Sequence, residues 1–150
     1  MTNQTMTDIL AGHNRIALDS TIFIYHFENA KYQPLTSVIF EHIQQGLVSA
    51  VASTVVLTEI LRKAYQLQRL EDAAVYELIL TTFPNLELID VSRPIGILAA
   101  EIGGTKNIKT PDALHIATAF EANATLWVTN DKKLRRVESE IAVLILDDWL

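Results

Sequence analysis

Two rhythms of apolar and polar residues alternate along the chain. Short runs dense in apolar residues lie at 15–18, 49–52, 86–90, 126–129 and 142–146, with strand length and strand composition. The stretches between them repeat at helical spacing. A short helix is predicted through Ile22, Phe23, Ile24 and Tyr25. Leu35, Val38, Ile39, His42 and Ile43 mark a second, with Gly46 as its terminating cap. Ser53 or Thr54 is placed to cap a third, which carries Val56, Leu57, Ile60, Leu61 and Ala64. Residues 70–83 read as a fourth helix, stopped at Pro84. Pro94 opens a fifth that Gly103-Gly104 is expected to end, and Thr110-Pro111 opens an alanine-rich sixth. A basic helical turn separates the last two strands.

Strands that alternate with helices predict an α/β fold. The expected architecture is three-layer α/β/α, with a mostly parallel central sheet covered on both faces and right-handed crossovers. The 150 residues fit one domain, and no internal repeat or linker interrupts them. Residues 1–13 read as a flexible N-terminal segment without the basic and apolar regions of an export signal. No apolar run reaches the ~18 residues of a membrane span. A soluble, unexported, cytoplasmic protein is expected. The absence of cysteine excludes disulfides, thiolate metal sites and a cysteine nucleophile.

The chemistry lies where strands stop and helices begin. Asp19 closes the first strand and Asp131 follows the fourth. Glu59 lies early in the helix after Ser53-Thr54, and Asp112 in the first turn after Thr110-Pro111. In a parallel sheet these positions face one edge, the edge where ligands bind. Each residue has a plainer account by itself: helix capping or dipole complementation for the aspartates, and exposure for Glu59. Yet Ser20, Thr110 and Asn130 already offer capping side chains beside three of them. Asp19 and Asp112 also sit among apolar neighbours, where a carboxylate needs a counter-charge or takes up a proton. Two carboxylates ~5 Å apart repel by roughly 3 kcal/mol at an effective dielectric of 20. Four converging side chains therefore call for a hard cation, Mg²⁺ or Mn²⁺. Such a cation lowers the pKa of a water and neutralises charge on a phosphoryl group, which points to phosphodiester cleavage.

The net charge of −6 does not fit a general nucleic-acid coat protein. The basic residues are unevenly spread, however. Six of the 12 lie in the last third: Lys106, Lys109, Lys132, Lys133, Arg135 and Arg136, all near Asp112 or Asp131 in sequence. Of these, Lys106, Lys109, Lys132 and Lys133 are candidate contacts for a polyanionic substrate; solvated surface charge is the simpler account of any one of them.

With these residues in view, the chain resembles the PIN-domain nucleases. Ile16-Ala-Leu-Asp19-Ser-Thr-Ile-Phe-Ile-Tyr25 is similar to their opening strand and helix, and Thr54-Val-Val-Leu-Thr-Glu59-Ile to their second motif. Thr110-Pro-Asp112-Ala-Leu-His-Ile-Ala-Thr-Ala119 is similar to the third, and Leu126-Trp-Val-Thr-Asn-Asp131 to the fourth. The compact size resembles VapC-type toxins of bacterial toxin–antitoxin pairs. The resemblance implies a metal-dependent endoribonuclease with Asp19, Glu59, Asp112 and Asp131 around Mg²⁺ or Mn²⁺. It implies Ser20, Thr21 and Thr129 as hydroxyl partners of the carboxylates. It further implies an RNA substrate, a homodimer and a protein antitoxin. One departure is the loop 103–107, which lacks the arginine often found ahead of the third motif and leaves Lys106 or Lys109 to replace its phosphate contact.

Three other readings compete. A non-toxin RNA-processing nuclease would carry the same site. A phosphatase with Asp19 as covalent nucleophile would need Asp-x-Asp, but Thr21 stands at the second position. A non-catalytic module would use the acidic pocket to dock a basic partner. His115 lies one position off the stripe through Asp112 and reads as a core histidine with one hydrogen bond. His13, His26 and His42 show no ligand spacing. Phe23, Tyr25 and Phe27 read as core rather than as a base-stacking platform, and Trp149 as an anchor for the chain end.

Overall fold

The computed structural model describes residues 4–150. Five parallel strands form one sheet in the order β3-β2-β1-β4-β5. They are β1 (Arg15–Leu18), β2 (Ser49–Ser53), β3 (Leu86–Ile89), β4 (Leu126–Thr129) and β5 (Ala142–Ile145). Seven α-helices are described with them: α1 (Met6–Ala11), α2 (Ser20–Glu28), α3 (Gln33–Gln44), α4 (Val55–Gln66), α5 (Leu70–Thr82), α6 (Arg93–Lys106) and α7 (Thr110–Glu121). Two 3-10 turns, Lys132–Val137 and Leu146–Trp149, flank β5.

Strand pleating divides the core in two. Ile16, Leu18, Ala50, Ala52, Leu126 and Val128 point into a cluster with Leu10, Ile22, Phe23, Ile39, Val56 and Leu80 from the first five helices. Ala17, Val51 and Trp127 point the other way, against Ile95, Ala99, Ile102, Ala113 and Ile116 of α6 and α7. Both sheet faces are therefore buried, which is the three-layer α/β/α arrangement that the apolar strands require. Trp149 packs half-buried against the first cluster.

Two local expectations are corrected. The segment 1–13 contains α1, a helix opened by a reciprocal capping box between Thr5 and Asp8. Met6 and Leu10 anchor it in the first apolar cluster, so burial orders the described part of that segment; residues 1–3 lie outside the described chain. Helix α6 does not end at Gly103-Gly104. It continues to Lys106 and stops at Asn107, whose φ of 55° is left-handed. Asparagine tolerates that conformation, so it provides the terminating residue. Gly103 serves packing instead. A Cβ there would come within 3.0 Å of the Ile108 carbonyl oxygen and 3.6 Å of Ala113 Cβ, so its bareness lets α6 and α7 pack closely.

The strand order reverses direction between β1 and β4. In an open parallel sheet the crevice at the carboxyl ends of such neighbouring strands is the place for a ligand.

Candidate active site

Asp19 directly follows β1, and its N–H donates to the Val128 carbonyl at 3.0 Å, so it remains in the β1–β4 register. It occupies the N-cap position of α2 but makes no side-chain cap bond. Its oxygens turn to neighbouring hydroxyls instead: Thr129 Oγ1 donates to Oδ2 at 2.7 Å and Ser20 Oγ to Oδ1 at 3.3 Å. Asp19 is 3% exposed and has no lysine or arginine partner among the described residues. Burial pushes its carboxyl upward in pKa, against the opposing effects of His115 and Thr129 and with Glu59 adding repulsion.

Asp112 enters from the first turn of α7. Its carboxyl is raised to about 6, first by burial and then by the charge of Asp19; His115 opposes this, while Asp131 and Glu59 add to it. These mutual effects mean that the acidic side chains, distant in sequence, occupy one electrostatic field. Asp131 also shapes the chain around it. Its Oδ1 accepts the Lys133 N–H at 2.9 Å and opens the 3-10 turn Lys132–Val137, and its own N–H donates to Thr129 Oγ1 at 3.1 Å. Thr129 thus connects Asp19 to the Asp131 backbone.

Glu59 is half-buried on α4 and is held by neighbouring side chains. Its Oε2 accepts from Ser20 Oγ at 3.2 Å, and its Oε1 lies 2.5 Å from His115 Nε2. His115 is 1% exposed, stacks near Trp127, and its Nδ1 has no partner among the described residues. Its one hydrogen bond was legible in the sequence; its partner was not. Residue 115 follows Asp112 by three positions, roughly one turn, so the pair shares a helix face. That spacing was the available signal.

The hydroxyl candidates separate. Ser20 and Thr129 hold carboxylates, while Thr21 is half-buried and makes no side-chain hydrogen bond among the described residues. The basic candidates separate too. Lys106 Nζ is tied to Glu140 Oε1 at 2.7 Å, away from the centre. Lys109 and Lys133 line an open cleft of about 330 Å³ that Asp112 and Asp131 border. Lys132 is exposed on the adjoining turn.

As they stand, no three His, Asp or Glu side chains among the described residues are grouped tightly enough to hold an ion. Glu59 is turned to His115 and Asp131 to the Lys133 amide, in each case toward a hydrogen-bond donor. The donor set nevertheless suits a hard divalent cation: carboxylate oxygens, one wholly buried without a lysine or arginine counter-charge and another with its pKa raised by burial and its neighbours.

Comparisons with known proteins agree with the architecture. No curated protein matches the chain. Among solved structures, VapBC2 from Rickettsia felis bound to a DNA fragment from its promoter aligns with a TM-score of 0.69 at 21% identity, over 87% of this chain and 98% of that one. VapBC-1 from nontypeable Haemophilus influenzae aligns with a TM-score of 0.68 at 20% identity, over 89% and 98%. A toxin–antitoxin complex from Klebsiella pneumoniae aligns with a TM-score of 0.65 at 16% identity, over 87% and 97%. The PIN domain family model matches residues 16–140, from β1 to just before β5 and across all four acidic positions, and the chain belongs to the PIN domain family.

Proposed function

We propose that the protein is a Mg²⁺- or Mn²⁺-dependent endoribonuclease and the toxin of a toxin–antitoxin pair. The observation that carries this reading is the buried Asp19, without a lysine or arginine partner, at the strand-order reversal, sharing a field with Asp112, Asp131 and Glu59. Family membership and the toxin–antitoxin complexes among similar folds support it.

In this reading Asp19, Asp112 and Asp131 hold the cation, with Glu59 beside them. Once bound, the cation supplies a water of lowered pKa and neutralises charge that develops on the scissile phosphoryl group. The chain's own residues set the stage. Thr129 donates to Asp19 and fixes its rotamer, and the one Ser20 hydroxyl hydrogen lies between Asp19 and Glu59. His115 holds Glu59 through its Oε1. Lys109, Lys132 and Lys133 attract the RNA backbone to a centre that would otherwise repel it. Lys106 is a weaker candidate because Glu140 already neutralises it.

A protein partner and self-association belong to the same proposal. Helix α5 exposes Leu70, Val75 and Leu78, which gives an apolar surface suited to a second copy. The antitoxin would cover the acidic centre. No described helix is long and apolar enough to cross a membrane, in keeping with a cytoplasmic site of action.

The test is cleavage of structured RNA by purified protein with Mn²⁺, with EDTA, and after Asp19→Asn. Cleavage by wild type should vanish with EDTA and fall by about 10²–10³-fold or more in the variant. Undiminished cleavage by the Asp19→Asn protein would overturn the assignment.

A further inference from the structure

The cleft beside Asp112 and Asp131 has more than positive charge. Its volume of about 330 Å³ falls within the ~300–1,000 Å³ of small-ligand sites. Ile108 and Leu134 close its floor, though at 8% and 2% exposure they present little surface of their own. Asn107 and Arg136 line it as well, in addition to Lys109 and Lys133. An amide beside an anchored guanidinium suits a planar heterocycle with hydrogen-bonding edges.

Arg136 is held in place. Its Nη1 donates to the Asn107 carbonyl at 2.7 Å and, more weakly, to the Lys106 carbonyl at 3.4 Å. These are the last carbonyls of α6, where a cation complements the helix dipole. The bonds fix one edge of the guanidinium at the cleft and so lower the entropy lost when the group meets a ligand. No carboxylate pairs with it among the described residues, whereas its neighbour Arg135 is bound to Glu138 and Asp148. Asn107 is fixed by its left-handed backbone at the end of α6. It is also the one uncharged polar side chain lining the cleft among the described residues.

We propose that this cleft is a nucleobase subsite for the nucleotide next to the scissile phosphate. The base stacks on the Arg136 guanidinium plane, and Asn107 contacts its edge. Lys109 and Lys133 carry the adjoining phosphates. Single-stranded RNA is recognised through bases splayed out of the helix and stacked on aromatic rings or arginine planes. This inference rests on the nuclease reading for the position of the scissile phosphate, but it concerns binding and is tested without cleavage.

The experiment measures binding of a short single-stranded oligoribonucleotide in EDTA by fluorescence anisotropy, scanning one abasic nucleotide along it. In wild type one position should stand out, with affinity falling about tenfold or more when its base is absent. Arg136→Lys keeps the charge but not the plane. It should bind intact and abasic oligomers nearly alike, with little change in salt dependence. Asn107→Gly keeps the left-handed backbone and should reduce discrimination among the four bases at that position. Thermal melts of both variants show whether the end of α6 remains folded. Equal binding of every abasic oligomer by wild type would overturn the subsite, as would unchanged base dependence in a folded Arg136→Lys protein. Cleavage of the intact oligomer by wild type with Mn²⁺ is scored separately. Its absence despite base-dependent binding would count against the nuclease reading and leave the subsite standing.

Discussion

The two ends of β1 treat charge in opposite ways. At the start, Arg15 Nη2 meets Glu87 Oε2 of β3 at 3.0 Å, in an exposed pair. At the finish, four residues on, Asp19 is buried and receives hydroxyl hydrogen bonds but no lysine or arginine. The first end is neutralised by the chain itself. The second is met only by hydroxyl donors and the nearby His115, and burial raises its pKa. The sheet explains why they differ. Helices start at the carboxyl edge, and their amide termini and loops surround the strand-order reversal there; the cleft at the amino edge is lined instead by the Arg15–Glu87 pair.

Disturbing the two ends should therefore have unequal results. His115→Leu removes the donor to Glu59 and also the charge that opposes the pKa rise of Asp19 and Asp112. It should cost about 10–100-fold in cleavage rate or in metal affinity, as loss of a ligand-orienting partner does. His115→Gln presents an amide near the Nε2 position and should recover part of the loss; no recovery in a folded His115→Gln protein would reduce His115 to a packing residue.

Mn²⁺ should raise the melting temperature in proportion to the logarithm of its concentration. The stabilisation should reach about 2.7 kcal/mol at a hundred times the dissociation constant. Scanning calorimetry should show this shift in wild type and in Glu87→Gln, and none in Asp19→Asn. An equal shift in all three would place the ion elsewhere.

The metal-free protein should show a pH dependence set by the acidic end. Asp112 is raised from the usual 3.8 to about 6, so its folded form holds a proton more tightly than its unfolded form. Its favourable contribution is full below about 3.8 and is lost as pH rises through about 6. The Asp112→Asn protein should therefore be more stable than wild type near neutral pH. The gap should close in acid, as measured by urea unfolding at a series of pH values.

The smallest effect belongs to the amino end. Glu87→Gln should change stability by no more than about 1 kcal/mol, because an exposed pair contributes little. It should leave cleavage intact. A large loss of activity there would dissolve the contrast between the ends.

Much of this was legible in the sequence because strands and helices follow from local periodicity. Runs 15–18 and 126–129 coincide with β1 and β4, and Thr110-Pro111 opens α7 where the spacing places it. Local signals mislead where a distant contact overrides them. Gly103-Gly104 looks like a stop, but Gly103 is bare because Ile108 and Ala113 press against it. The segment 1–13 looks polar and mobile, but Leu10 reaches the core. Lys106 lies near Asp112 in sequence, but its amine meets Glu140.

The sequence by itself determined the α/β rhythm, the strand ends that bear carboxylates, and the family to which these motifs belong. Only the tertiary structure decided which partner each side chain faces: Thr129 for Asp19, His115 for Glu59, and the Asn107 carbonyl for Arg136. Periodicity fixes which face of an element is buried. For Glu59 and Asp19 the partner across that face comes from 56 and 110 positions away in the chain, brought near by strand order and helix packing, and no local spacing encodes that.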